Sequence, residues 1–228
     1  MPNSRTPRII GRIIRTGIGF LVFSVCAILL IRVCSSGDPK SMNTLLPNAP
    51  LAEAYEEYGD DLILQYQKQD TITREEHNAG YFSVTQYVFI PQAEQLQLVF
   101  RYNNSTLEYL KEDKGLATVP DKSEHLFDLT VVVKTLEDGK ECVTRYNSTM
   151  FQRDTASKKL YTYYRYVFDG IKVTDEVLEV SVEVRYIYDV TDTAYGSLCL
   201  YDTDHKWFLQ NMSRADEKAI EAWIEQHR

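Results

Sequence analysis

The sequence predicts a mainly β chain: an antiparallel β-sandwich, flanked by short helices and preceded by one N-terminal transmembrane helix. Three observations carry that reading. Apolar and polar residues alternate with a period of two in several runs. The clearest sets Leu178, Val180, Val182, Val184, Tyr186 and Tyr188 against Glu179, Ser181, Glu183 and Arg185. Turn formers such as Asp138-Gly139 and Asp169-Gly170 separate the runs, and no long amphipathic helix interrupts them. That pattern favours a sandwich over an α/β sheet. Finally, Thr16 to Ile31 contains no charge and is apolar apart from Thr16, Ser24 and two glycines.

The N-terminal stretch reads as a membrane anchor. Sixteen helical residues span roughly 24 Å against a hydrocarbon core of about 30 Å. Ile13, Ile14 and Val33 lengthen the apolar run, and Arg15 and Arg32 can extend their charges to the interfaces. Arg5, Arg8, Arg12 and Arg15 lie on the N-terminal side, so the positive-inside rule puts that side in the cytoplasm. A cleaved signal and a lipidated Cys34 are the alternatives; the charge of Arg32 counts against both. The expected division is a cytoplasmic basic tail over 1–15, a lipid-embedded anchor over 16–33, a polar stalk over 34–50, and an extracytoplasmic sandwich with terminal helices over 51–228.

Leu51, Ala54, Tyr55 and Tyr58 form a helical stripe, with Asn48 as N-cap and Gly59 as its stop. Leu62, Leu64 and Tyr66 begin a strand, and a firmer one runs from Tyr81 to Ile90, ended by Pro91. Leu96, Leu98, Phe100 and Tyr102 make one face of the next, with Gln95, Gln97 and Arg101 on the other. The polar loop 106–124 has room for one helical turn around Leu107 to Leu110. Further strands follow at Leu126–Lys134, Glu141–Phe151, Leu160–Phe168, Val177–Tyr188, Ser197–Tyr201 and Lys206–Gln210. Ser213 and Asp216 resemble a capping box for a last helix, with Ile220, Trp223 and Ile224 as its apolar stripe. An immunoglobulin/fibronectin-like arrangement is the default and a closed barrel the alternative. The Cys–Trp–Cys spacing of immunoglobulin domains is missing, because both Trp follow Cys199.

Five of the 25 basic residues lie at or before Arg32, leaving 20 against all 33 acidic residues, a net charge of −13. Such a surface disfavours nucleic acid. Cys142 and Cys199 read either as a bridge or as two strand thiols. Glycosylation sequons begin at Asn103, Asn104, Asn147 and Asn211.

Candidate site chemistry is sparse. There is no Gly-x-Ser-x-Gly elbow and no phosphate-cradling glycine-rich loop. Asp189 and Asp192 fall in one loop and Asp202 and Asp204 in the next, a set of hard oxygen ligands suited to Ca²⁺, as in a Ca-dependent adhesion domain. Asp is also a common turn former, which is the plainer explanation. Asp202-Thr203-Asp204 also matches the Asp-x-Asp of sugar transferases, whose nucleotide-binding α/β domain this chain is too strand-rich to contain. The strand 160–168 places Tyr161, Tyr163 and Arg165 on one side and Tyr164, Tyr166 and Phe168 on the other. Outward-facing Tyr with Arg is the composition of binding patches. The function expected is therefore a membrane-tethered binding module for an envelope protein or glycan. An envelope hydrolase built from scattered acids such as Asp189 and Asp202 is the competing class.

Overall fold

A computed structural model describes residues 16–30, 39–74, 77–154, 160–173, 176–188, 194, 196–202 and 207–228, with the backbone alone for 67–74 and 77–81. The chain divides into two compact units, 1–37 and 38–228. In the first, residues 16–30 form helix α1, whose large apolar side chains are exposed. Among the described residues no helix is long and apolar enough to cross a membrane. The anchor expected over 16–33, and the single-pass location with an extracytoplasmic domain, are therefore not supported. The basic tail 1–15 lies outside the described residues.

The second unit is mainly β, built from two antiparallel sheets. Strands β1 (Leu64–Arg74), β2 (His77–Ile90) and β3 (Gln95–Asn103) follow one another as hairpins in the first sheet. β7 (Tyr161–Asp169) then pairs with β3, and β6 (Met150–Arg153) with β7. The short β10 (Phe208–Gln210) pairs with the start of β1. The second sheet runs in the order β5 (Lys140–Asn147), β4 (Phe127–Glu137), β8 (Val177–Tyr186) and β9 (Gly196–Tyr201). Near its far end β1 pairs with β9 at Thr73 and Ser197, so one strand joins both sheets. This is not the immunoglobulin-type connectivity expected from the sequence. Three successive strands are neighbours in one sheet here, where the immunoglobulin chain changes sheet after two.

The alternation read from sequence fixes which side chains face inward. Leu98, Phe100 and Tyr102 of β3, with Tyr164, Tyr166 and Phe168 of β7, meet Phe127, Leu129, Val131, Val180, Val182 and Val184 from the second sheet in one core. Aromatic rings interlock there: Phe127 lies edge-on to Phe82 at 5.1 Å and 5.0 Å from Tyr102. A bulge between Val84 and Gln86 keeps β2 in phase, so that Tyr87 and Phe89 also turn inward. Asp138 and Gly139 both adopt positive φ, the conformation a two-residue hairpin between β4 and β5 requires. The run expected as one strand over 141–151 is two, β5 and β6, which belong to different sheets.

The first sheet is covered on its outer face as well. Residues 39–48 run across it as a strap and lead into helix α2 (Ala49–Tyr58), capped by the Asn48 side chain. Helix α4 (Arg214–His227) packs beside α2 and begins at the Ser213–Asp216 capping box expected from sequence. Leu45, Leu51, Ala54, Leu64, Val88, Ile90 and Ile220 form the core of this third layer. Residues 39–48 are therefore not the solvated stalk expected over 34–50. Met42 is fully buried against Val99 and Tyr163. The loop after β3 also holds more than the single turn expected, a nine-residue helix α3 (Thr106–Lys114) ended by Gly115.

Candidate functional site

The strap is fixed by side chains that read its backbone. Gln97 makes both halves of a strand-like pair with Leu46: its Oε1 accepts from Leu46 N at 2.8 Å and its Nε2 donates to Leu46 O at 2.9 Å. The Gln86 amide donates to Met42 O at 3.0 Å, and Asp216 accepts from Leu45 N at 2.6 Å. Ser41 donates to Asp154, and the Gln95 amide donates to both Asn48 Oδ1 and Asp169 at 2.8 Å. Gln95 and Gln97 are wholly buried, so each amide depends on these partners.

Between strap, sheet and α4 lies a cleft of about 100 Å³. Tyr66 of β1 and Gln86 and Val88 of β2 form its floor, Asn43 and Leu45 of the strap one wall, and Asp216 of α4 with its N-cap Ser213 another. Gln210 at the end of β10 and Arg165 of β7 complete it. The register explains how Arg165 takes part: it lies across Val99, which lies across Gln86, in one row on the outer face. Arg165 is 1% exposed and Asp216 is 7% exposed. Asp216 also accepts the Ser213 hydroxyl at 2.6 Å, so one carboxylate caps α4, holds the strap and lines the cleft.

The tyrosine patch expected on β7 is on the correct side of its strand but is not open to solvent. Tyr163 is 1% exposed, covered by Met42, and Arg165 is buried beside the cleft. Tyr161 is half-buried, with the Arg101 guanidinium 4.5 Å from its ring centre. As a binding face of Tyr161, Tyr163 and Arg165, the patch is therefore corrected: the strap occupies that face.

Of the four acids considered for Ca²⁺, only Asp202 is described; Asp189, Asp192 and Asp204 lie outside the described residues. Asp202 accepts a hydrogen bond from the Cys199 thiol at 3.5 Å. Burial foremost, then Asp202, pushes that thiol up to about 11. No cluster of three or more His, Cys, Asp or Glu suited to a metal is present among the described residues. Cys142 and Cys199 are both free thiols. They sit on β5 and β9, three strand spacings or about 14 Å apart, beyond the reach of a disulfide.

A second polar grouping sits at the edge of the inner core. The His125 ring stacks on Phe151 at 4.0 Å, and its Nε2 lies 3.1 Å from the Tyr166 hydroxyl. That hydroxyl donates to Phe127 O at 2.5 Å, and burial raises its pKa well above the ordinary phenol value. The imidazole also lies 5.7 Å from the Tyr164 ring and 6.1 Å from the Tyr166 ring, so the grouping is an aromatic cluster at the core's edge.

Gln86, Gln95, Gln97 and the second role of Asp216 were not readable as site residues. One signal was available. From Tyr161 to Phe168 the strand offers little polar alternation, the mark of a strand buried on both faces. No protein-family model, curated protein or solved structure matches the chain.

Proposed function

We propose that residues 38–228 act as a binding module, with the cleft between the strap, the outer sheet face and α4 as its recognition site. One observation carries this reading: Arg165 and Asp216, both more than nine-tenths buried, line the same small cleft. Asp216 is held in place by its bonds to Leu45 N and the Ser213 hydroxyl, so the cleft presents a fixed carboxylate and a guanidinium. Charged side chains converging on a concave, partly apolar site are the usual anatomy of small-ligand recognition. A protein or glycan approaching β7 would meet Tyr161 but not the covered Tyr163, which favours a small ligand over a large surface partner.

Thermal unfolding of the full chain against a panel of small carboxylates, amines, amino acids and sugars tests the reading. A ligand at a hundred times its Kd stabilises by about 2.7 kcal/mol, a shift of several degrees. Gln210 is exposed at the rim, so Gln210→Trp blocks the mouth without entering the core and should abolish the shift. A shift that survives Gln210→Trp would locate binding elsewhere. No shift with any member of the panel would refute the reading.

A further inference from the structure

We propose that β5 is a docking edge for a second copy of this chain, the two β5 strands pairing antiparallel about a two-fold axis at Val143. β5 contributes no residue to the cleft, and its pairing does not depend on what the cleft holds.

β5 ends its sheet: among the described residues its one sheet neighbour is β4. The hairpin that joins them decides which backbone groups that neighbour uses. Asp138 and Gly139 form a two-residue loop with positive φ at both, so the flanking pair Glu137–Lys140 exchanges hydrogen bonds. Bonded and non-bonded pairs then alternate along a ladder whose register does not shift. Lys140, Cys142, Thr144 and Tyr146 therefore turn their N–H and C=O groups toward β4. Glu141, Val143 and Arg145 turn theirs outward. An edge of this kind is a template for another strand.

The side chains select the strand. Glu141, Val143 and Arg145 share one face by the period of two, and all three are exposed, Val143 at 52%. When β5 meets its own copy with the axis at Val143, each Glu141 lies opposite the other chain's Arg145 and the two valines face each other. All three residues have outward backbone groups, so each facing pair exchanges two backbone hydrogen bonds. Opposite charges across a sheet stabilise it and like charges destabilise it. Moving the axis to 142 sets Glu141 against Val143, and moving it to 144 sets Val143 against Arg145. An axis at 141 or at 145 brings two glutamates or two arginines face to face. Only the register at Val143 pairs the charges.

Charges on an exposed edge ordinarily guard against association. Here they exclude the neighbouring registers and leave one open. Arg145 also donates to Glu183 through Nη1 at 2.6 Å, but its side chain is 50% exposed. A guanidinium carries five N–H donors, enough to serve a second carboxylate. Because each copy offers the same strand, the contact closes as a dimer and does not propagate.

Sedimentation of the full chain from micromolar to millimolar concentration should show a reversible monomer–dimer equilibrium. Val143→Pro removes an outward N–H that β4 does not use, and should weaken the dimer at least about tenfold while circular dichroism stays native. Glu141→Arg alone and Arg145→Glu alone each set like charges opposite one another and should weaken it by a similar factor. Mixing these two variants restores opposite charges at both pairs and should restore the dimer. Should either charge variant fail to fold, Val143→Pro decides; should the proline variant fail, the mixing experiment decides. A natural chain that stays monomeric throughout would overturn the proposal. So would a dimer indifferent to these substitutions, or single reversals that mixing does not rescue.

Discussion

Replacing Asp216 with alanine removes both of its structural roles at once, and Ser213→Ala separates them. The carboxylate closes the capping box of α4, where loss of a cap costs about 0.5–2 kcal/mol. It is also the acceptor for Leu45 N at 2.6 Å, a buried contact between residues 171 positions apart. Removing it leaves a buried N–H without its partner, a cost of about 1–3 kcal/mol. Asp216→Ala should therefore destabilise by roughly 1.5–5 kcal/mol, summing the two terms. Ser213→Ala removes the hydroxyl that caps Asp216 N but leaves the strap contact, and should cost only about 1 kcal/mol. Urea unfolding at constant slope measures both variants. Equal losses in the two would show that Asp216 merely caps its helix and that the strap does not depend on it.

Three further outcomes are expected. Met42→Ala opens a cavity against Val99 and Tyr163 and should cost about 2–5 kcal/mol in the same assay; a loss below 1 would mean the strap is not packed. Val182→Asp places an unpaired charge at a fully buried position and should unfold the domain, read as loss of near-ultraviolet circular dichroism; native spectra would contradict the inner core. The Cys199 thiol, raised from an ordinary 9.0 to about 11, and Tyr102, raised from 10.0 to about 12, both favour their protonated forms in the folded state, chiefly through burial. Their stabilisation is complete below pH 9 and is lost as pH rises through 11 and 12. Stability that stays flat from pH 9 to 12 would refute that burial.

Much of the fold was legible because β alternation is local. The alternation of β8 from Val180 to Tyr186, the Asp138-Gly139 hairpin and the Ser213–Asp216 box each depend on a few neighbouring residues and stand as read. Leu178 and Tyr188, read into the same inward set, are exposed. The third layer was not legible, because it depends on contacts between distant parts of the chain. Gln95 and Gln97 alternate with apolar residues as a wet face would, and only the strap that covers them makes them buried anchors. The same covering turned Tyr163 and Arg165 from expected surface residues into interior ones. Pro39, Ser41 and Asn43 look like solvated linker, yet Met42 and Leu45 among them are buried. An isolated apolar residue in a polar stretch has no periodicity to signal where it docks. The split of residues 141–151 into two strands was hidden for a related reason: composition does not record a change of sheet.

Amide hydrogen exchange at Leu45 and Leu46 tests most directly the claim on which the site depends, that residues 39–48 close the outer face of the first sheet. Both amides donate to buried side chains, Leu45 to Asp216 and Leu46 to Gln97. They should exchange slowly, with opening free energies approaching those of the sheet amides of β3. Exchange at the rate of an unstructured peptide would mean that the strap is open, that Tyr163 and Arg165 face solvent, and that the cleft lacks a wall.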